Sequence, residues 1–129
     1  MNELELGKPP GKIQAIGILH LVCGVLNLMS ALGLAIYAVV MGIFTFGISL
    51  VFCCPVILLA PIGILEVISG ARHLSSNHAG LRAPRITAIA ELFAVLSCGV
   101  LSLVAGILTF AFLSDPEVAA YYAKAEAAK

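Results

Sequence analysis

Three ionisable side chains interrupt long apolar stretches of the sequence. Glu66 lies in PIGILEVISG, Glu91 in ITAIAELFAVLSCG and His20 in IGILHLVCG. Carboxylates and imidazoles can carry protons or hold cations. Within a membrane they are costly, so they normally turn inward and pair with each other or line a pathway. Together with Asn27, these residues form the predicted intramembrane polar cluster.

The composition around these residues indicates an integral membrane protein. The 129-residue chain is 61% hydrophobic and 11% charged, with a mean hydropathy of +1.11, whereas soluble domains carry about 25% charged residues. No Asp, Glu, Lys or Arg occurs between Lys12 and Glu66. An apolar run of about 18 residues or more predicts a transmembrane helix, because every backbone polar group must be paired within the segment.

The apolar blocks predict an all-α integral membrane protein, a bundle of three long transmembrane helices, with four spans as the alternative. The predicted spans of the transmembrane domain, residues 13–113, are 13–41, 48–70 and 86–113. The uncharged GIFTFG predicts a turn after the first span. Pro55 and Pro61 predict a kink in the second span.

The two ends of the chain are more polar than the spans. Residues 1–12 are predicted to be a cytoplasmic N-terminal segment. Residues 114–129 are predicted to form a short C-terminal surface helix, since Ser114 or Asp115 can cap it and Pro116 suits its first turn.

Positive charge near the spans predicts the orientation. Lys8 and Lys12 precede the first span, and the predicted cytoplasmic loop 71–85 carries three arginines, which are also predicted to contact lipid headgroups. These arginines are Arg72, Arg82 and Arg85. With three spans, the N-terminus is then cytoplasmic and the C-terminus outside. An aromatic belt is predicted on that outer side, formed by Tyr37, Phe44, Phe46, Phe52, Phe110, Phe112, Tyr121 and Tyr122.

Small residues recur at helical spacing in each block, and in lipid such residues let helices pack closely. The predicted helix-packing residues are Gly17, Gly24, Gly63, Gly70, Ala94, Cys98, Ser102 and Gly106. The stretch IGILHLVCGVLNLMSALGL resembles the first span of small tetraspan membrane proteins, which also place glycine and polar residues at this spacing.

The sequence predicts a function in assembly rather than catalysis. It contains no catalytic motif and no His, Cys or carboxylate spacing typical of a metal site, so no enzyme activity, cofactor or metal is predicted. The predicted function is a small structural or accessory subunit that self-associates or packs into a larger membrane complex through its small-residue helix faces. The alternative is a proton or cation transport component that uses Glu66, Glu91 and His20.

The predicted partners are membrane lipids and other copies or subunits. Nucleic acid is not expected, because the formal net charge is +0. The short loops and the lack of an N-x-S/T sequon favour a bacterial inner membrane.

Overall fold

The computed structural model describes residues 7–48, 58–93 and 100–128. Within these ranges the chain forms five helices and no strand, which confirms the all-α class. The helices are α1 (Gly11–Phe44), α2 (Leu59–Leu74), α3 (Arg85–Phe93), α4 (Val100–Leu113) and α5 (Pro116–Ala127).

The longest helix is α1, with 34 residues, or about 50 Å of helix. Of the helices in the described ranges, it alone is long and apolar enough to cross a membrane by length and composition. The bundle of three spans therefore stays a prediction. The expected turn follows α1, since Phe46 (φ 51°) and Gly47 (φ 87°) adopt the left-handed conformation that ends helices.

Helix α2 runs antiparallel to α1, and glycines bring the two backbones into contact. Gly17 lies opposite Gly70, and Gly24 lies opposite Gly63. A Cβ atom added at Gly70 would lie 2.6 Å from the backbone nitrogen of Leu21 and 2.7 Å from the carbonyl oxygen of Gly17. No side chain fits there, so this spacing of the helices depends on glycine.

The boundaries of α2 differ from the predicted span 48–70. Pro61 lies in the first turn of α2, where its missing N–H is not needed, so it begins the helix rather than kinking it. Pro55 lies outside the described residues. The helix continues to Leu74, which places the first four residues of the predicted loop 71–85 in helix.

The prediction of one continuous span over 86–113 is wrong, because α3 and α4 are separate helices that pack against each other. A Cβ atom at Gly106 would lie 3.0 Å from the carbonyl oxygen of Ala88 and 3.1 Å from Cβ of Glu91. In one continuous helix, residues 88 and 106 would be about 27 Å apart. Over the described residues, α3 is about 13 Å long and α4 is about 21 Å long. Each is shorter than the hydrocarbon core of a bilayer, which is roughly 30 Å thick.

The start of α1, residues 75–84 and α5 meet at one end of the molecule, here called the loop end. An apolar core joins them, formed by Ile13, Leu81, Val118, Tyr121, Tyr122, Ala125 and Ala128. Lys12 of α1 also forms an ion pair with Asp115. Helix α5 lies at 84° to α4, so it packs across this end of the molecule.

The predicted C-terminal helix is confirmed, including its cap, because the Asp115 carboxylate accepts a hydrogen bond from the backbone N–H of Glu117 at 2.9 Å. Its position differs from the predicted one, which placed it at the end opposite the start of α1. Helix α4 packs against α3, and α5 lies at the end that holds the start of α1 and residues 75–84.

The predicted aromatic belt is also wrong for Tyr121 and Tyr122, which are buried in the core of the loop end. Tyr37, Phe44 and Phe46 are exposed in and beyond the distal half of α1. Phe110 and Phe112 lie near the end of α4 that leads into the loop end. Phe52 lies outside the described residues.

Candidate functional site: a buried polar cluster

The four residues of the predicted cluster lie together in the interior of the helices. His20, Glu66 and Glu91 are 0% exposed and Asn27 is 7% exposed. Helix α1 contributes both His20 and Asn27, which are two turns apart on one face. Helices α2 and α3 contribute one glutamate each, so the cluster joins three helices.

Asn27 links α1 to α2 and α4. Its Nδ2 donates to Oε2 of Glu66 at 2.7 Å and to the hydroxyl of Ser102 at 2.6 Å. Both amide protons are therefore used, since an asparagine amide has two. One side chain thus sets the relative position of three helices.

His20 links α1 to the same helices and to α3. Its Nδ1 lies 2.9 Å from the hydroxyl of Ser69, and its Nε2 lies 3.1 Å from the hydroxyl of Thr109. Oε1 of Glu91 is 3.2 Å from the same Nε2. A protonated imidazole would make this contact an ion pair. Each ring nitrogen thus has a polar neighbour on another helix.

Three carboxylate oxygens in the cluster lack a hydrogen-bond partner among the described residues. They are Oε1 of Glu66 and both oxygens of Glu91. The short distance from Oε1 of Glu91 to His20 does not have hydrogen-bond geometry. Unpartnered buried polar groups cost about 1–3 kcal/mol each, so these oxygens are the points where the cluster can accept a proton or a cation.

The sequence interpretation missed Ser69 and Thr109. Both continue helical stripes that the sequence contains: Ser69 is three residues after Glu66, and Thr109 is seven after Ser102. These spacings place each residue on the same helix face as its predecessor. Tracing each stripe further along its helix, with serine and threonine counted as polar residues, would have identified both.

Two histidine–tyrosine pairs connect α5 to the end of α2 and to residues 75–84. Nδ1 of His73 donates to the carbonyl of Ser69 at 2.6 Å, so its Nε2 accepts from the Tyr122 hydroxyl at 2.8 Å. Similarly, Nε2 of His78 donates to the carbonyl of His73 at 3.1 Å, and its Nδ1 accepts from the Tyr121 hydroxyl at 2.9 Å. A carbonyl can only accept, so each contact fixes the tautomer of its imidazole.

Burial favours the neutral forms of His73, Tyr121 and Tyr122. It lowers the pKa of His73 to about 4, against the smaller raising effect of its hydrogen bond to the Ser69 carbonyl. Burial also raises the pKa of Tyr122 and of Tyr121 above the ordinary phenol range. Near neutral pH the His73–Tyr122 pair is therefore an uncharged hydrogen bond.

A line of polar contacts runs from the loop end into the cluster. Tyr122 contacts His73, His73 contacts the carbonyl of Ser69, and the hydroxyl of Ser69 contacts His20. The ring centroids of His73 and His20 lie 6.2 Å apart, and the rings are arranged edge to face. A carbonyl oxygen carries no proton to pass on, so this line positions the side chains but does not form a complete proton path.

The other predicted site residues divide into two groups. The five glycines Gly17, Gly24, Gly63, Gly70 and Gly106 all lie at close helix contacts. Ser102 hydrogen-bonds to Asn27, and Ala94 and Cys98 lie outside the described residues. The three arginines Arg72, Arg82 and Arg85 are exposed at or near the loop end, and Arg82 approaches Glu126 at 3.4 Å.

No group of three or more His, Cys, Asp or Glu residues in the described ranges is arranged to hold a metal ion. The cluster brings together two carboxylates, an imidazole, an amide and hydroxyl groups, which can form hydrogen bonds and exchange protons. Comparison of the chain with family models, with curated proteins and with solved structures gives no match.

Proposed function

We propose that the protein is an integral membrane protein that serves as a small structural or accessory subunit. The membrane location is supported by the reversed distribution of side chains: His20, Glu66 and Glu91 are fully buried, while large aliphatic side chains cover the outside of α1. In water this arrangement would be unfavourable, because exposed apolar area is costly. In lipid it is the favourable one.

The observation that carries the subunit role is a seam of exposed aliphatic side chains on α1. They follow each other at alternating steps of four and three residues: Ile18, Val22, Val25, Met29, Leu32, Ile36, Val39 and Ile43. This spacing keeps side chains on one face of a helix that packs against another at a small angle. The seam lies away from the face of α1 that holds Gly17, Gly24 and Asn27, so it is free to pack against another copy or a larger complex.

The test is the mass of the protein after gentle extraction from native membranes, with a matched pair of variants. We expect the wild-type chain to migrate as an oligomer or with a co-purifying partner. Leu32→Ala/Ile36→Ala removes the centre of the seam and should shift the complex to the monomer mass. Leu26→Ala/Tyr37→Ala truncates exposed side chains outside the seam and should leave the mass unchanged. A wild-type monomer, or equal effects of the two double variants, would contradict the proposal.

A second candidate function is proton or cation movement through the cluster. The observation that favours it is the set of three buried carboxylate oxygens without hydrogen-bond partners on Glu66 and Glu91. A buried carboxylate that has no donor is a natural point for a proton or cation to bind. Too few helices are described to enclose a wide aqueous path, so an assembly of several copies would have to complete the route.

The two functions differ in what glutamine should do at these positions. In proteoliposomes that contain a pH-sensitive dye, Glu91→Gln should abolish proton flux if the carboxylate carries protons. It should leave assembly intact, because glutamine keeps the size and the hydrogen-bonding capacity. If the Glu91→Gln variant assembles and neither it nor the wild-type protein produces proton flux, the result supports the structural role and excludes transport.

A further inference from the structure

A groove on the outside of the molecule lies between α2 and residues 81–87. Its volume is about 220 Å³. Helix α2 lines it with Leu65, Ile68 and Arg72, and the facing segment lines it with Arg82 and Ile86. The groove starts at the loop end and continues along the apolar flank of the helices.

The rim of the groove is positively charged. Arg72 and Arg82 are both exposed, and no residue that lines the groove is an Asp or a Glu. In the part of the chain that the structure describes, α5 brings one carboxylate to the rim, where Glu126 lies 3.4 Å from Nε of Arg82. Both of these side chains are more than half exposed, and such surface pairs hold together weakly. An anionic group can therefore replace Glu126 at Arg82.

The wall of the groove becomes apolar below the rim. Leu65 lies seven residues before Arg72, which is about 10 Å along the helix. Ile68 is 53% exposed and Ile86 is 77% exposed, so the slot has hydrocarbon surface that no other described residue covers. An occupant of this groove needs a negative head at the arginines and a hydrocarbon chain below them.

We propose that this groove binds an anionic phospholipid, with the phosphate between Arg72 and Arg82 and one acyl chain along Leu65, Ile68 and Ile86. The proposal rests on the membrane location proposed above. Arginine suits this role because its planar guanidinium donates two parallel hydrogen bonds to a phosphate. The apolar slot favours a lipid over a free phosphate, because a free phosphate has no acyl chain to pack against Leu65, Ile68 and Ile86.

The test titrates the purified full-length protein in neutral detergent with dioctanoyl-phosphatidylglycerol and dioctanoyl-phosphatidylcholine, and counts bound lipid by native mass spectrometry. We expect phosphatidylglycerol to bind at least tenfold more tightly. Arg72→Gln/Arg82→Gln should reduce its affinity to that of phosphatidylcholine. Lys8→Gln/Lys124→Gln removes the same charge away from the groove and should keep the preference. Glu126→Gln should increase the affinity for phosphatidylglycerol a few-fold, because the competing carboxylate is gone.

Three results would overturn the proposal. They are equal binding of the two lipids, an equal loss of affinity in the lysine and arginine double variants, and binding of glycerol 3-phosphate as tightly as phosphatidylglycerol. The last result would mean that the apolar slot contributes nothing. Resistance of each variant to extraction from membranes by alkaline carbonate is measured in parallel. A protein that stays in the membrane but shows no lipid preference contradicts this inference alone, and an extracted protein contradicts the membrane location.

Discussion

The loop end, which includes the last turn of α2, and the helical body follow opposite packing rules. The helical body comprises α1 from Ile16 onward, α2 as far as Gly70, α3 and α4. At the loop end, α5 buries Val118, Tyr121 and Tyr122 in an apolar core, as a water-soluble domain does. In the helical body, the ionisable side chains of His20, Glu66 and Glu91 are buried and large aliphatic side chains are exposed. This contrast supports the proposed membrane location, in which the loop end would face water and the helical body would face lipid.

The interactions that stabilise the two regions also differ. Apolar burial gains free energy only where the alternative is water, which suits the loop end. In hydrocarbon, helices associate through close backbone packing and interhelical hydrogen bonds. The glycine contacts between α1 and α2 and the hydrogen bonds of Asn27 and His20 supply both. Substitutions can therefore test each region by the interaction on which it depends.

The largest effect is expected from Gly70→Ala in the helical body. The added methyl group would lie 2.6 Å from the Leu21 backbone, so the helices must separate, and we expect a loss of about 3 kcal/mol in the free energy of unfolding. Unfolding in detergent followed by circular dichroism measures it. Gly33→Ala is the matched control, because no atom lies within 4 Å of the added group and alanine favours helix. Equal losses at both sites would contradict the packing argument.

Asn27→Leu should be the next most damaging change. Leucine keeps the branching at Cγ but leaves Oε2 of Glu66 and the Ser102 hydroxyl without their donor, which should cost about 2–3 kcal/mol. The double variant Asn27→Leu/Glu66→Leu removes the stranded carboxylate as well and should be more stable than the single variant. A double variant whose loss equals the sum of the two single losses would show that the residues are not coupled.

At the loop end, stability should fall as the pH falls. The pKa of His73 is about 4 in the folded protein and about 6.5 in the unfolded chain. The unfolded chain therefore binds the proton first. The stabilisation is complete above pH 6.5 and is lost as the pH falls from 6.5 towards 4. The loss at pH 5 amounts to about 2 kcal/mol.

The measurement is the difference in unfolding free energy between pH 7.5 and pH 5 for the wild-type chain and for His73→Gln. The variant lacks the titrating imidazole, so its pH dependence should be smaller by the contribution of His73. Other groups titrate equally in both proteins. Subtracting the pH dependence of the variant from that of the wild-type chain therefore gives the contribution of His73. Identical pH profiles would contradict the prediction.

The smallest effect is expected at the exposed ion pair between α1 and the start of α5. Lys12→Gln removes one partner of Asp115, but exposed pairs are screened by water and salt. We expect no measurable change in the melting temperature at physiological ionic strength. A clear loss of stability would indicate that the ion pair, rather than the apolar core, fixes α5 at the loop end.

The sequence predicted the members of the cluster more accurately than the path of the chain. Helical periodicity places His20, Asn27, Glu66 and Glu91 on inner faces, because polar groups in an apolar helix turn away from lipid. It could not show that α3 and α4 are separate, since the intervening AVLSCG carries no charge and no strong turn residue pair. The unexpected position of α5 follows from this difference, because α4 packs against α3 instead of continuing it.

The meeting of both chain ends at the loop end also bears on how such a protein could be inserted into a membrane. Glu117, Lys124 and Glu126 lie on α5, and moving charged side chains through hydrocarbon is costly. Because α5 lies beside the start of α1, these charges would never leave the side on which the first residues stay. Helix α5 follows α1 to α4 along the chain, so its docking at the loop end would come only after these apolar helices are in place.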